Sequence, residues 1–389
     1  MKNYKIKTIN NIAPEALDLF TENFAYSPDE ENPDALILRS QDLHNYKFTE
    51  NIRFIGRAGA GVNNIPVEKC SELGIVVSKA PGANANAVKE LTAAALLLAS
   101  RDIVGGIDWV RSLKGEEDIA QKVEKGKKAF TGPELAGKKL GVIGLGATGQ
   151  LVGEMGLSFG MEVYGYDPFI SLSGALNLSN QIHYSEDGKM LFKECDYISL
   201  HIPYSEETKN IVSRDLLAQV KPGLHLLNIA RGGLVDLEAL KEALEDGRVA
   251  KYVVDFPEEA SLDLPNTINI PHLGASTPES QENSAKMVIE QAMDYLNNGN
   301  IKNSVNFPDC DMGQCTSAHR VTLNHRNIPN MIGQITAILA EEGVNIANLL
   351  NRHKDGWAYT MIDLDSEIPE SLRKKLWAIE GVVRVRLIK

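Results

Sequence analysis

The stretch KLGVIGLGATG, Lys139 to Gly149, decides how this chain folds. KLGVIG reads as a short buried strand, and the run from GATGQ to Gly160 reads as a helix. Between them Gly144, Gly146 and Gly149 spell Gly-x-Gly-x-x-Gly. Glycine at these places permits a tight turn, close approach of the backbone to a pyrophosphate, and close packing of helix on strand. The helix N-terminus then offers unpaired N–H groups and a favourable dipole to phosphate. Glycine-rich turns are common, so the pattern gains meaning from its place between a strand and a helix.

The next strand, MEVYGYD, ends at Asp167, 18 residues after Gly149. A carboxylate there accepts from both ribose hydroxyls and repels a 2′-phosphate, which favours NAD over NADP. The alternative is that Asp167-Pro168 simply starts a turn. The strands YISLHIP, GLHLLNIA, YVVDF and TINIP follow, with helices between them. The pattern is α/β: a Rossmann-type doubly wound parallel sheet. A helix over Pro278–Leu296 stops at Asn297-Asn298-Gly299.

Upstream, Ala35–Leu38, Phe54–Ile55 and Ile75–Val77 read as buried strands, and Pro14–Phe20 and Pro66–Leu73 as helices. This alternation predicts another parallel sheet covered on both faces. A long helix of small and apolar residues runs from near Ala87 to Ser100. Downstream, Asn300–Ser317 is polar and irregular and reads as a linker. Then come strands at Arg320–Asn324, Ile346–Arg352, Ala358–Leu364 and Val382–Ile388, and helices at Pro329–Glu342 and Pro369–Ala378. Asp355-Gly356 suits a hairpin turn. This βαββαβ order is the ferredoxin-like plan.

The 389 residues suffice for roughly two or three domains. A net charge of -12 argues against nucleic-acid and acidic-membrane partners, which need a cationic surface. Four scattered cysteines, with no CxxC pair, predict reduced thiols and no metal site. The longest apolar stretch, Leu91–Ala99, is far short of the ~20 residues of a membrane span. The N-terminal MKNYKIKTIN has no signal-peptide core, so the expected location is cytoplasmic.

Three charged residues follow late strands: Arg231 in NIARGG, Glu259 in DFPEEA and His272 in IPHLGAST. Doubly wound sheets bind ligands at strand C-termini. Arg can hold carboxylate and carbonyl oxygens with its fork. His can take a hydroxyl proton as hydride leaves, and a carboxylate beside it fixes the tautomer. Each also has a structural alternative: a helix-flanking cation, a surface histidine, a solvated Glu258–Glu259 pair.

The order GLGATG, YDP, LHIP, NIARGG, VDF and PHLGAST resembles the D-isomer-specific 2-hydroxyacid dehydrogenase family. The resemblance implies an active site of Arg231, Glu259 and His272. It implies NAD contacts from the loop at Ala147 and Thr148, from Asp167, Ile229 and Ala230, from Asp255 facing the nicotinamide amide, and from Gly274 and Ala275. Asp255 is followed at once by Phe256, one residue short of the family's run. Aligning on Phe-Pro puts the catalytic Glu at 259, with Glu258 as the alternative. The glycine-rich loop Arg57–Asn64 matches the substrate loop. Ala60 and Gly61 amides are expected on the carboxylate and Arg57 on a substrate phosphate. Asn84 lines the cleft or caps the following helix.

The same resemblance implies a discontinuous, flavodoxin-like substrate domain of residues 1–97 plus 286–305, and a cofactor domain of 98–285. Residues 317–389 resemble an ACT domain, an amino-acid-sensing module. His325-Arg326-Asn327-Ile328-Pro329-Asn330 matches its motif, with Asn330 in place of Gly, and Val344-Asn345-Ile346 matches a later one. His325, Asn327 and Asn345 are thereby implied as an L-serine effector site, and pairing of such domains implies a homodimer or homotetramer. Together these features imply oxidation of D-3-phosphoglycerate at the head of L-serine synthesis. The alternatives are a reductase of glyoxylate, hydroxypyruvate or 2-oxoglutarate, and, in another class, an NAD-sensing scaffold.

Overall fold

The structure is a computed structural model that describes residues 3–366, 368 and 370–388. Met1 and Lys389, the outer ends of the expected domains, and Pro369, the expected start of the last helix, lie outside the described residues. The chain divides into two compact units, Met1–Ala83 with Gln281–Lys389, and Asn84–Ser280.

The first unit opens with strands β1 (Tyr4–Ile9), β2 (Phe24–Ser27), β3 (Ala35–Leu38), β4 (Phe54–Arg57) and β5 (Val76–Lys79). They pair in parallel in the order β2-β1-β3-β4-β5, the flavodoxin-like arrangement. All four residues of β3 are buried, as a strand covered on both faces requires. The helices Pro14–Leu17 and Val67–Glu72 are shorter than their sequence patterns predict.

The second unit holds β6 (Lys139–Ile143), β7 (Glu162–Tyr166), β8 (His183–Tyr184), β9 (Tyr197–Leu200), β10 (Leu224–Asn228), β11 (Val249–Val254) and β12 (Thr267–Asn269). The order is β12-β11-β10-β9-β6-β7-β8, every pair parallel. The order reverses between β6 and β9, the switch point where such sheets bind ligands. The helix Ala85–Ser100 belongs wholly to this unit. The contact division falls at Ala83/Asn84, whereas the boundary expected at 97/98 cuts through that helix. Two helices, Ile103–Ser112 and Ile119–Gly126, had no counterpart in the sequence reading. Neither has a buried residue, and the apolar Ile103, Ile107 and Val110 of the first are exposed.

The first unit resumes in the helix Pro278–Asn298, which sends Val288, Ile289, Ala292, Tyr295 and Leu296 into a core with Ile6, Ile37 and Phe54. Gly299 ends it with φ +78°. The segment expected to be a linker is instead packed. Ile301, Phe307 and Cys310 join the same core. Ile301 bridges Cys310, and Ser304 bridges Ser78 on β5. Asn306 accepts from Val77 N–H at 2.9 Å and donates to the Ile75 carbonyl at 2.8 Å. Composition alone does not separate a satisfied buried polar side chain from a solvated one.

Strands β13 (His319–Arg326), β14 (Ile346–Lys354), β15 (Trp357–Leu364) and β16 (Val382–Ile388) then form an antiparallel sheet, β14-β15-β13-β16. With helices Met331–Glu341 and Glu370–Trp377 it has the ferredoxin-like βαββαβ order. Asn330 takes φ +62°, so the turn survives its glycine substitution. Val321, Leu323, Ile362 and Leu364 pack under the helices. Trp357, Tyr359 and Met361 enter the core of the first sheet, which is why all eight residues of β15 are buried. Arg320, fully buried, donates to Asp363 at 2.6 and 3.0 Å and to the carbonyls of Asn298, Met312 and Gly313. Its five N–H bonds all have acceptors.

Candidate active site

The three motif glycines perform three different tasks. Gly144 has φ +95°, and a Cβ there would lie 2.6 Å from the His201 carbonyl. Gly149 lets the helix Ala147–Ser158 press on the turn; its Cβ would meet the Gly144 carbonyl at 1.8 Å. Gly146 faces open space, with nothing within 4 Å of an added Cβ. It is the helix N-cap and makes no side-chain cap. Gly146 and Ala147 are exposed and Thr148 is half-buried, so the first turn is open to an anion. These features fit a dinucleotide pyrophosphate. Asp167, at the end of β7, accepts from Leu145 N–H and Phe169 N–H, both at 2.9 Å. Gln150 donates to the Leu145 carbonyl at 2.9 Å and braces the same turn.

The loop after β10 is organised by a residue the motifs did not single out. Asn228 is buried; its Oδ1 accepts from Ala230 N–H and Arg231 N–H, and its Nδ2 donates to the Arg231 carbonyl. A polar residue ending an apolar strand is the signal that could have found it. Ile229 is buried and Ala230 half-buried, while Arg231 is exposed.

Asp255, at the end of β11, is wholly buried. Its two oxygens accept from Leu273 N–H at 2.7 Å and Gly274 N–H at 2.8 Å. Burial holds its carboxyl above the usual carboxylate range, against the pull of those amides and of His272. A side chain at Gly274 would meet this carboxylate at 2.9 Å. The bonds fix the loop carrying exposed His272, whose backbone takes φ +54°. Histidine enters that region more readily than most residues, and strain of this kind clusters at functional sites. Ala275 follows, half-buried.

Phe256 brings the charged residues together. Its ring lies 4.3 Å from the His272 ring and 5.1 Å from the Arg231 guanidinium, centroid distances in both cases. Glu258 is committed elsewhere: its Oε1 accepts from Gly233 N–H at 2.9 Å, and it caps the helix Glu259–Leu262. Glu259 is exposed, and among the described residues no hydrogen bond or ion pair joins it to His272.

In the other unit, Ala60 and Gly61 amides donate to no protein acceptor among the described residues. The Arg57 guanidinium lies over Gly59. Asn84 occupies the N-cap of Ala85–Ser100 but makes no capping bond. The proposed effector residues are dispersed in their bonding. His325 is buried, with Nε2 at 2.8 Å from Thr360 Oγ1 and Nδ1 at 2.8 Å from the Arg326 carbonyl. Asn345 donates to Asp365 at 2.8 Å, and Asn327 is exposed. All four cysteines are buried and none is in a disulfide, and no group able to hold a metal occurs among the described residues. No helix among them is long and apolar enough to cross a membrane.

The profile of the D-isomer specific 2-hydroxyacid dehydrogenase NAD-binding domain matches residues 93–274. The chain belongs to the D-isomer-specific 2-hydroxyacid dehydrogenase family. It is similar to a D-3-phosphoglycerate dehydrogenase of Haemophilus influenzae, 33% identical over 84% of this chain and 79% of that one. A relative of the same name in Methanocaldococcus jannaschii is 38% identical over 77% of this chain, which spans 56% of that relative's length. Among solved structures, an NAD-bound 3-phosphoglycerate dehydrogenase of Entamoeba histolytica aligns with TM-score 0.57 and 26% identity, covering 78% of this chain and 99% of that one.

Proposed function

We propose that this chain oxidises D-3-phosphoglycerate to 3-phosphohydroxypyruvate with NAD, opening L-serine synthesis. The observation that carries the reading is the Arg231–Phe256–His272 cluster, held at the strand C-termini of the sheet that bears the glycine turn. The names of the relatives support the choice of substrate.

When bound, NAD supplies the acceptor for the hydride leaving substrate C2. His272 takes the proton of the C2 hydroxyl, so hydride and proton leave the same carbinol and a carbonyl remains. Glu259 supports the protonated imidazole. Arg231 binds carboxylate and developing carbonyl oxygens, and Phe256 keeps it and His272 on one face. Ala60 and Gly61 offer unpaired amides to the carboxylate, and Arg57 a cation to the phosphate. Ala147, Thr148, Asp167, Ile229, Ala230, Asp255, Gly274 and Ala275 are assigned to the cofactor, Asp255 indirectly through its loop. Asn84 is assigned to substrate binding.

The C-terminal sheet is proposed as a regulatory module that senses L-serine through His325, Asn327 and Asn345, in a homo-oligomer. The exposed Ile103, Val104, Ile107 and Val110 support self-association.

The test is NADH formation from D-3-phosphoglycerate with the product trapped, with and without L-serine. Turnover lost in Arg231→Gln supports the assignment. No turnover with this substrate, but turnover of glyoxylate or hydroxypyruvate in reverse, overturns it. Undiminished turnover in saturating serine removes the effector role alone.

A further inference from the structure

A cavity lies within the first unit, lined by none of the residues assigned above. It encloses about 730 Å³ between the 48–53 loop, Glu72-Leu73, the helix Glu370–Trp377 and β16. Four arginines line it: Arg53, Arg373, Arg384 and Arg386. Among the described residues, the carboxylates in its wall are Glu50 and Glu72. This concentration of cations stands out in a chain of net charge -12.

Among the described residues, most of that charge has no counter-ion. Arg384 bonds only to carbonyls, to Leu73 at 2.8 and 3.2 Å and to Glu50 at 3.3 Å. Arg386 is 7% exposed and donates to the carbonyls of Tyr295 and Leu296, with its guanidinium 4.2 Å from the Tyr295 ring centroid. Among the described residues, no ion pair reaches Arg373, Arg384 or Arg386, while Arg53 pairs with Asp34 at 3.1 Å. Glu72 leans to Arg326 at 3.9 Å. Burial and the neighbouring Arg386, Arg53 and Arg373 push Arg384 down to about 10. Crowded, partly buried cations without anions are costly, and an arriving anion offsets that cost.

We propose that this cavity binds a small polyanion, a phosphate ester or a polycarboxylate, at a site distinct from the substrate and serine sites. The forked guanidinium groups match the oxygen pairs of phosphate and carboxylate. The volume lies within the range of small-ligand pockets. Its walls come from the first sheet domain on one side and from the C-terminal module on the other, so a bound anion ties the two together.

The experiment titrates the full chain with pyrophosphate and with citrate by calorimetry, at constant ionic strength and saturating NADH, so that the glycine turn is filled. Arg373→Glu is the diagnostic variant, because this residue is exposed and makes no hydrogen bond or ion pair among the described residues. Arg373→Gln serves if the charge reversal lowers the melting temperature. Saturable binding of either probe, weakened about tenfold or more in the variant, supports the site. Tighter pyrophosphate assigns phosphate esters, and tighter citrate assigns polycarboxylates. No saturable binding of either, or equal affinity in the variant, overturns the proposal. The outcome does not depend on which hydroxy acid the enzyme oxidises.

Discussion

Phe256 packs against His272 with their ring centroids 4.3 Å apart and their planes inclined at 45°. The same ring lies beneath Arg231. One aromatic side chain therefore sets the spacing between the proposed acid–base group and the proposed substrate cation. His272→Ala is expected to lower kcat/KM by about 10²–10⁴. Phe256→Leu keeps both charged groups but loses the ring contacts, for an expected loss of about tenfold in kcat/KM at unchanged KM for NAD. Steady-state kinetics of the two variants check this; a fully active Phe256→Leu would remove the positioning role.

Gly146 and Gly149 should respond to alanine in opposite ways. Gly146→Ala adds a methyl to open space and leaves the melting temperature unchanged, while NAD affinity falls because the backbone can no longer approach the pyrophosphate. Gly149→Ala drives a methyl into the Gly144 carbonyl and lowers stability by about 1–3 kcal/mol. Thermal melts alongside NADH fluorescence titrations separate the two effects.

His201 gives stability a pH dependence of defined sign. Burial pushes its pKa from 6.5 to about 4, with Ser199 Oγ 2.8 Å from Nε2. Between those values the unfolded chain binds a proton that the folded chain refuses. Its contribution is complete above 6.5 and is lost as pH falls toward 4, on the order of 3 kcal/mol. Burial lowers His225 and His325 in the same direction. Urea midpoints measured from pH 7 to pH 4 should fall, and less steeply in His201→Gln.

Breaking the buried Arg320–Asp363 pair should matter far more than breaking a surface pair. Asp363→Asn leaves a buried guanidinium charge without its anion, for an expected cost of about 3–5 kcal/mol. Glu242→Gln, which removes the exposed partner of Arg214, should cost under about 1 kcal/mol. Urea unfolding of both variants makes the comparison; equal losses would show that Arg320 is held by its carbonyls alone.

What could be read before any coordinates follows from which residues leave a pattern. The glycine turn is legible because positive φ and close approach demand glycine at set spacings. The βαββαβ order is legible because its strands and helices alternate apolar periods of two and 3.6. The helix Ile103–Ser112 does carry Ile103, Ile107 and Val110 at helical spacing, but Gly105 and Gly106 inside it lower its helix propensity. Phe256 acts through contacts with Arg231 and His272, on loops distant in sequence, which spacing does not encode, whereas Asn228 bonds within its own loop and is marked only by its polarity at the end of an apolar strand. The segment around Asn306 misled by its polarity, because its amide groups are spent on backbone partners inside the core.

That segment has a consequence for how such chains can be recombined. A gene break placed at Asn300, where composition suggests a seam, would not yield two self-sufficient parts. It would strand Phe307 and Cys310 without the first sheet, and deprive Arg320 of the Asn298 carbonyl. A chimera that exchanges the C-terminal sheet must therefore carry the face of Trp357, Tyr359 and Met361 as a matched set with the helix ending at Asn298. Heritable exchange of this module is constrained by that shared core more than by the length of the strand of chain that joins it.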